Sequence, residues 1–364
     1  MPVIRWRKGI VAAVLRAEGP MHELTVDVAG DPVPALADVS VVGVPVVGDV
    51  VLLNTNALDL DLGTGGHAMV VALPERLPVD KTTAGHIVKA RYTPLQVTVG
   101  SADEQGSPHH ALLADADDLG GVPVVLADLH SALPAICLAI AADRPGTRVA
   151  YVMSDGGALP LHYSRTAPAL STAGLICGTV TAGQAYGGDH EAVSLHSALL
   201  VARLVLGADV VVVAQGPGNL GTDTRWGFSG VAVGDGVNAA GVLGGRAVGT
   251  LRISGADARD RHVGVSHHSL TAYGRVALLP ADLAVPVLPE SALAARIRDQ
   301  LGELPARHRQ VQIDLDGLAG VLRSAAQQGI QLRTMGRSYA DDDAYFLAAA
   351  ASGRHAAALC DLPA

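Results

Sequence analysis

The sequence predicts an α/β protein, a mostly parallel sheet covered by helices on both faces, preceded by a small N-terminal β-barrel-like domain. Three observations carry this. Short strands with Gly-marked corners and no helical period fill residues 1–75. From Gly121 onward, continuously apolar strands alternate with longer amphipathic runs. Strands that are apolar throughout are buried on both faces, and that is the condition of a parallel sheet between helix layers.

In the first region, Gly9–Val14 and His22–Val28 flank the turn Glu18-Gly19-Pro20 as a hairpin. Val39–Val47 alternates loosely and reads as a further strand, followed by Val50–Leu53. The turn Gly63-Thr64-Gly65-Gly66 leads into His67–Ala72. Residues 76–120 form a connector with Pro78, Lys81-Thr82-Thr83 and the polar stretch Ala102–Pro108. Residues 121–364 form the α/β domain, in which strands are expected at Val122–Ala127, Arg148–Met153, Gly174–Thr181, Asp209–Ala214 and Ala247–Ile253. The intervening helices are expected at Ser131–Ala142, Arg165–Thr172 and Glu191–Leu206, with another starting near His267. After Pro289 the pattern weakens. Helices at Ser291–Leu301, Leu318–Gln327 and Asp343–Ala351 and strands at Gln310–Leu315 and Ile330–Thr334 either extend the same sheet or form a C-terminal lobe.

Composition bounds the function. The 364 residues are 49% hydrophobic and 17% charged, so a large core can be buried and disorder is excluded as the overall state. The abundance of Ala, Gly, Val and Arg reads as the coding bias of a high-GC bacterium. A net charge of −9 with no basic stripe beyond Arg5, Arg7 and Lys8 disfavours nucleic acid as a partner. The first ten residues lack a signal-peptide apolar stretch, and no apolar run of spanning length escapes Gly, Pro or charge, so no membrane partner and a cytoplasmic location are expected. Cys137, Cys177 and Cys360 are odd in number and show no CxxC spacing, which argues against disulfides and structural zinc. A homo-oligomer is compatible with the sequence.

Ligands bind outside the carboxyl ends of the strands of an open parallel sheet, and four turns there share a polar, Gly-rich composition. They begin at Ser154-Asp155-Gly156-Gly157, at Gly183, at Gln215-Gly216 and at Ser254. Gly216, Gly218, Asn219, Gly221 and Thr222 offer close backbone N–H groups and a hydroxyl that could cradle an anion at a helix start, with Arg225 nearby. No GxxxxGK[ST] motif is present and no cofactor is assigned, and the plainer reading of the loop is a tight turn. The densest polar cluster joins Asp257, Arg259, Asp260, Arg261 and His262 to His267-His268. Adjacent histidines on a helix point about 100° apart, so one of the two is expected to face a given pocket as general acid/base, with Asp189, Asp155 or Asp257 orienting it. The alternative is an N-cap at Ser266 with imidazoles filling polar gaps. Asp189 also reads as an N-cap.

The stretches Gly216-Pro217-Gly218, Gly221-Thr222, Gly227-Phe228-Ser229-Gly230 and Arg259, with Arg261-His262 and Gly264 through Thr271, resemble the uncharacterised bacterial domain-of-unknown-function family 3866. Gly187-Gly188-Asp189 with Glu191-Ala192-Val193 also fits, and the likeness spans most of the chain. The resemblance implies membership and assigns no catalytic residue.

Three functions follow as expectations. The leading one is a cytosolic enzyme or enzyme-like protein that binds a small polar or anionic molecule at the sheet edge, the anion held by Gly216–Thr222, Arg225, Arg259, Arg261 and His262, with proton transfer at His267 or His268. The second is a non-catalytic ligand sensor or scaffold. The third is a metal-dependent hydrolase using His190, His196, His267 and His268, although no metal ligand set is assigned from spacing alone.

Overall fold

The computed structural model describes residues 4–60 and 66–361 and contains two compact units, Met1–Ala84 with Ala90–Thr98, and Gly85–Lys89 with Val99–Ala364. The first is a closed barrel of β1 (Trp6–Arg16), β2 (Met21–Val28), β3 (Asp31–Asp38), β4 (Val50–Asn54) and β5 (Ala68–Ala72), in the order β1-β2-β3-β5-β4. Alternate residues point inward, so Val11, Leu24, Val26, Ala35, Ala37, Val51 and Leu53 fill it. The expected strand at Val39–Val47 is absent. Val39–Val42 is one helical turn, α1, because the Asp38 side chain accepts from Ser40 N (3.0 Å) and caps it. The strand that completes the barrel is β3, whose Pro32 and Pro34 hide it from a propensity reading. Both prolines pair only with β2, where the missing N–H costs no second ladder. A second short helix, α2 (Asn56–Asp59), follows β4, and the expected turn at Gly63-Thr64-Gly65 lies outside the described residues.

Short strands β6 (Ile87–Lys89) and β7 (Val97–Val99) and a helical turn α3 (His110–Leu113) precede the second unit's main sheet. That sheet comprises β8 (Pro123–Ala127), β9 (Val149–Ser154), β10 (Gly178–Thr181), β11 (His190–Glu191), β12 (Val210–Gln215), β13 (Arg246–Thr250), β16 (Asp282–Pro286) and β17 (Arg309–Ile313), with β14 (Ile253–Ser254) and β15 (Gly264–Val265) forming a separate pair. Its order is β11-β10-β9-β12-β8-β13-β16-β17, and every pairing is parallel. Strand β12 has all six residues buried. Strand β10 begins at Gly178, four residues later than expected, because residues 174–177 are spent on the turn out of the preceding helix.

One face is covered by α4 (Leu133–Asp143), α5 (Thr166–Thr172), α10 (Leu318–Arg323) and α11 (Asp343–Leu359). The other carries α6 (Leu195–Leu200), α7 (Ala232–Val242) and α9 (Ala292–Leu301), with α8 (His267–Thr271) at its carboxyl edge. The C-terminal region is therefore no lobe: β17 pairs with β16, and α11 lies across α4, β16 and β13. Helix α6 starts at Leu195, capped by Ser194 and Ser197, and not at Glu191, whose backbone is taken by the β11 ladder. A hairpin pair, β18 (Arg333–Thr334) and β19 (Arg337–Ser338), closes the list of strands.

Helix α11 buries nearly its whole circumference because its residues are small. A Cβ placed on Gly353 would lie 2.3 Å from the Ile136 carbonyl of α4. Gly320, on the exposed side of α10, has nothing within 4 Å of such an atom. Gly353→Ala is therefore expected to destabilise by about 1–3 kcal/mol through overpacking, whereas Gly320→Ala stabilises by about 0.5–1 kcal/mol through helix propensity. Denaturant midpoints of the two variants check the opposite signs.

Candidate functional site

Strand β12 leaves the sheet toward α7 on one face, while its neighbours β8 and β9 leave toward α4 and α5 on the other. Connections that diverge from adjacent parallel strands open a crevice at their carboxyl ends. A cavity of about 220 Å³ occupies it, lined by Asp128 after β8, Ser154 and Asp155 at β9, Gly183 after β10, Gln215 at the end of β12, and Ser229, Gly230 and Asp235 at the start of α7. Three of the four polar turns thus line one space.

Within it, Gln215 Nε2 donates to the Asp128 carbonyl (2.7 Å) and to Asn219 Oδ1 (3.0 Å), and Ser229 Oγ donates to the same Asn219 oxygen (2.7 Å). Gln215 Oε1 and Asp128 Oδ2 are buried without a hydrogen-bond partner among the described residues. Asp155 is engaged: its carboxylate accepts from Gly157, Ala158 and Gln184 N at 2.9–3.0 Å and so shapes two turns of the rim.

The fourth turn stands beside Asp128. The short turn Asp260–His262, the strand β15 and the start of α8 gather His262, His267 and His268, with ring centroids 4.4–5.0 Å apart. Both adjacent histidines therefore join one cluster. They sit on the first turn of α8, where His262 packs against both rings and brings them to a common centre despite their angular separation. Phe228 stacks flat on His268 at 3.8 Å and 3°. His268 Nδ1 lies 3.2 Å from Arg252 Nη1 and 3.8 Å from Asp128 Oδ2, and His262 Nδ1 bonds Ser266 Oγ at 2.7 Å. Ser266 also caps α8, accepting from His268 N.

Around the rings runs a charged lattice. Arg259 grips Asp257 with two hydrogen bonds of 2.9 and 3.0 Å, Arg337 bridges Asp257 and Asp342, and Ser254 Oγ donates to Asp342 at 2.6 Å. Burial opposes ionisation of Asp257, but Arg259 and Arg337 overcome it and hold the carboxyl well below the usual range. Burial, then the positive charge of Arg252 and Arg259, pushes His262 down to about 3. Burial, then His268 and Arg261, pushes His267 down to about 4. Both imidazoles are consequently neutral at pH 7.

The remaining expected site residues are placed elsewhere. No helix begins at Thr222. The segment after Gly218 turns back on itself, with Gly221 bridging Phe228 and Thr222 N donating to the Gly227 carbonyl (2.7 Å). The first helical turn after β12 is Ser229–Val231, so the Gly216–Thr222 amides face no helix dipole. Gly216 and Gly218 line a second, largely apolar cleft with Leu159 and Leu220, and Arg225 is exposed on the tip of the excursion. Arg261 pairs with Asp223 (2.5 Å) and ties that excursion to the histidines. Asp189 caps no helix. It accepts from Thr179 N and Oγ1 (2.9 Å each) at the start of β10, away from the cavity. His190 meets His109 at 5.5 Å on the sheet edge and is not part of the cluster.

Sequence reasoning missed Asp128, Arg252 and Phe228. Asp128 carried one signal, as the first polar residue after an apolar strand. It also missed Lys89, fully buried, which donates to the Ala185 and Ala192 carbonyls at 3.0 Å and lies 3.4 Å from Glu191. All of its donors are used in holding the sheet edge.

The family described as Protein of unknown function (DUF3866) matches residues 35–353. The chain belongs to this family. The family's span includes the whole cavity and the histidine cluster, and its description assigns neither a reaction. Comparison with the curated proteins and with the solved structures finds no match.

The unfolded chain takes up histidine protons near pH 6.5, as is usual, whereas folded His262 and His267 do so only at about 3 and 4. Acid therefore favours the unfolded state, and the stability present above pH 6.5 is lost as pH falls toward 4, with a limiting slope of about 1.4 kcal/mol per pH unit for each histidine. His262→Gln is expected to flatten that slope, as measured by denaturant titrations between pH 7.5 and 4.5.

Proposed function

We propose that the protein is a cytoplasmic enzyme or enzyme-like protein that binds a small polar molecule bearing O–H or N–H donors at the carboxyl ends of β8, β9, β10 and β12. The observation that carries this is the pair of buried acceptors without donors, Asp128 Oδ2 and Gln215 Oε1, on the wall of one cavity. A buried polar atom left unpaired costs about 1–3 kcal/mol, and a ligand that donates to both removes that cost. The cavity's own charged groups are the carboxyls of Asp128, Asp155 and Asp235, which favours a neutral or cationic ligand portion there over an anionic one. The cations that would hold an anion, Arg259 and Arg261, are already paired with Asp257 and Asp223.

At about 220 Å³ the cavity is below the roughly 300–1,000 Å³ of sites for drug-sized ligands, so the occupant is a small metabolite. Asp128, 3.8 Å from His268, is the group assigned to proton transfer, and Gln215 to orientation. Three free cysteines, one fully buried, suit a reducing compartment.

Thermal-shift screening of polyols, amino alcohols and small amines against sugar phosphates and organic acids tests the reading. A ligand at 100 times its Kd stabilises by about 2.7 kcal/mol. The first group is expected to stabilise, with Gln215→Leu weakening binding at least about tenfold, the scale of one lost buried hydrogen bond. Asp128→Asn is expected to abolish turnover. Stabilisation by anions alone, lost in Arg261→Ala and kept in Gln215→Leu, would overturn it. A ligand that binds and is recovered unchanged after prolonged incubation identifies a sensor instead of an enzyme.

A further inference from the structure

We propose that His262, His267 and His268 form a binding site for one divalent transition-metal ion of the zinc class, with Asp128 orienting His268 from behind. The inference does not rest on the cavity's ligand.

One ring nitrogen from each of the three residues lies within 4.8 Å of the other two. Nitrogen ligands on tetrahedral zinc, at about 2.0–2.1 Å from the ion, stand about 3.3 Å apart, so closure needs a movement of roughly 1 Å per imidazole. Three imidazoles leave a fourth position for water or substrate, the arrangement of catalytic rather than structural zinc. Chain placement makes the geometry robust. His267 and His268 are fixed by the Ser266-capped start of α8, His262 by its bond to that same Ser266, and the plane of His268 by Phe228.

One observation independent of the cavity points to an ion. His267 Nε2 is buried without a partner among the described residues. Asp128 Oδ2, on a side chain more than nine-tenths buried, lies 3.8 Å from His268 Nδ1. A carboxylate behind the distal ring nitrogen is the usual support for a metal-bound histidine, because it fixes tautomer and ring orientation.

The proton accounting is consistent. Arginine only donates, so with Arg252 Nη1 at 3.2 Å the Nδ1 of His268 accepts and its proton resides on Nε2. Binding an ion through Nε2 moves that proton to Nδ1. Arg252, itself a donor, then gives up its 3.2 Å contact and keeps Asp257 (3.6 Å), and the ring turns to close the 3.8 Å to Asp128 Oδ2, to which Nδ1–H donates. No proton is gained or lost by His268 in this exchange. Ser266 Oγ accepts from His262 Nδ1–H in the same way. A small anion is the competing occupant, but Arg259 and Arg261 would first have to leave Asp257 and Asp223.

The test uses the full chain without a histidine tag, stripped with a chelator and titrated calorimetrically with Zn²⁺, with Co²⁺ as an optical probe. One equivalent of Zn²⁺ is expected, together with the visible bands of a four-coordinate, nitrogen-ligated Co²⁺ ion. His267→Gln, at a half-exposed position where folding is retained, is expected to weaken Zn²⁺ by at least about 100-fold, and Asp128→Asn by about 10–100-fold with stoichiometry and bands kept. Gln215→Leu, which touches Asp128 only at its backbone carbonyl, weakens Zn²⁺ binding less than Asp128→Asn does while weakening the cavity's ligand at least about tenfold, which separates this site from the cavity. Melting curves of the metal-free variants confirm their folding. Failure of the wild-type chain to bind Zn²⁺ at micromolar concentration overturns the proposal. Equal affinity in wild type and His267→Gln also overturns it, by sending the ion elsewhere, for example to His109 and His190. Stabilisation by inorganic phosphate but not by Zn²⁺ does the same, by assigning the cluster to an anion.

Discussion

The insertion of β12 between β8 and β9 governs the rest of the second unit. A parallel strand can only be reached by a crossover, and the two neighbours of β12 send their chains over one face while β12 sends its own over the other. The helix layers therefore separate at the carboxyl end of β12, and the backbone cannot fill the gap without burying unpaired polar groups. Polar side chains from several strand ends meet there. Gln215, as the last residue of β12, stands at the centre and braces Asp128 through its carbonyl.

Asp128 joins two chemical neighbourhoods. Toward the cavity it is one of a set of carboxyls and hydroxyls, and toward α8 it faces His268. The histidine cluster in turn is fenced by Arg252, Arg259 and Arg337 gathered on Asp257, which hold one another in place and leave His262 and His267 neutral. Neutral rings with lone pairs, held by a cap and an aromatic stack, are prepared to ligate. Rings left protonated would repel a cation. The arginines thus act on the histidines more than on any bound anion.

Much of the fold was legible because its determinants are local. Val210–Gln215 is a run of buried residues that only a doubly covered parallel strand accommodates, and the α/β alternation follows from such runs. Ser266 and Ser291 were readable as helix starts because capping is a contact between near neighbours. The errors are equally physical. Asp31–Asp38 was hidden by two prolines that an edge-like pairing tolerates, and His190–Glu191 was drawn into a helix because a two-residue strand has no periodicity. Asp189 was assigned to a cap because nothing in the sequence reveals that Thr179 competes for its carboxylate.

By itself, the sequence determined the class of fold, the polar turns at the strand ends and the concentration of histidine and arginine between Asp257 and His268. These depend on composition and on contacts within a few residues. Which turns share a cavity, which arginines are spent on aspartates, and which acceptors are left unpaired were decided by the tertiary structure alone. Strand order brings Asp128 to within 3.8 Å of His268 across 140 residues of chain, and no local signal encodes a distance of that kind.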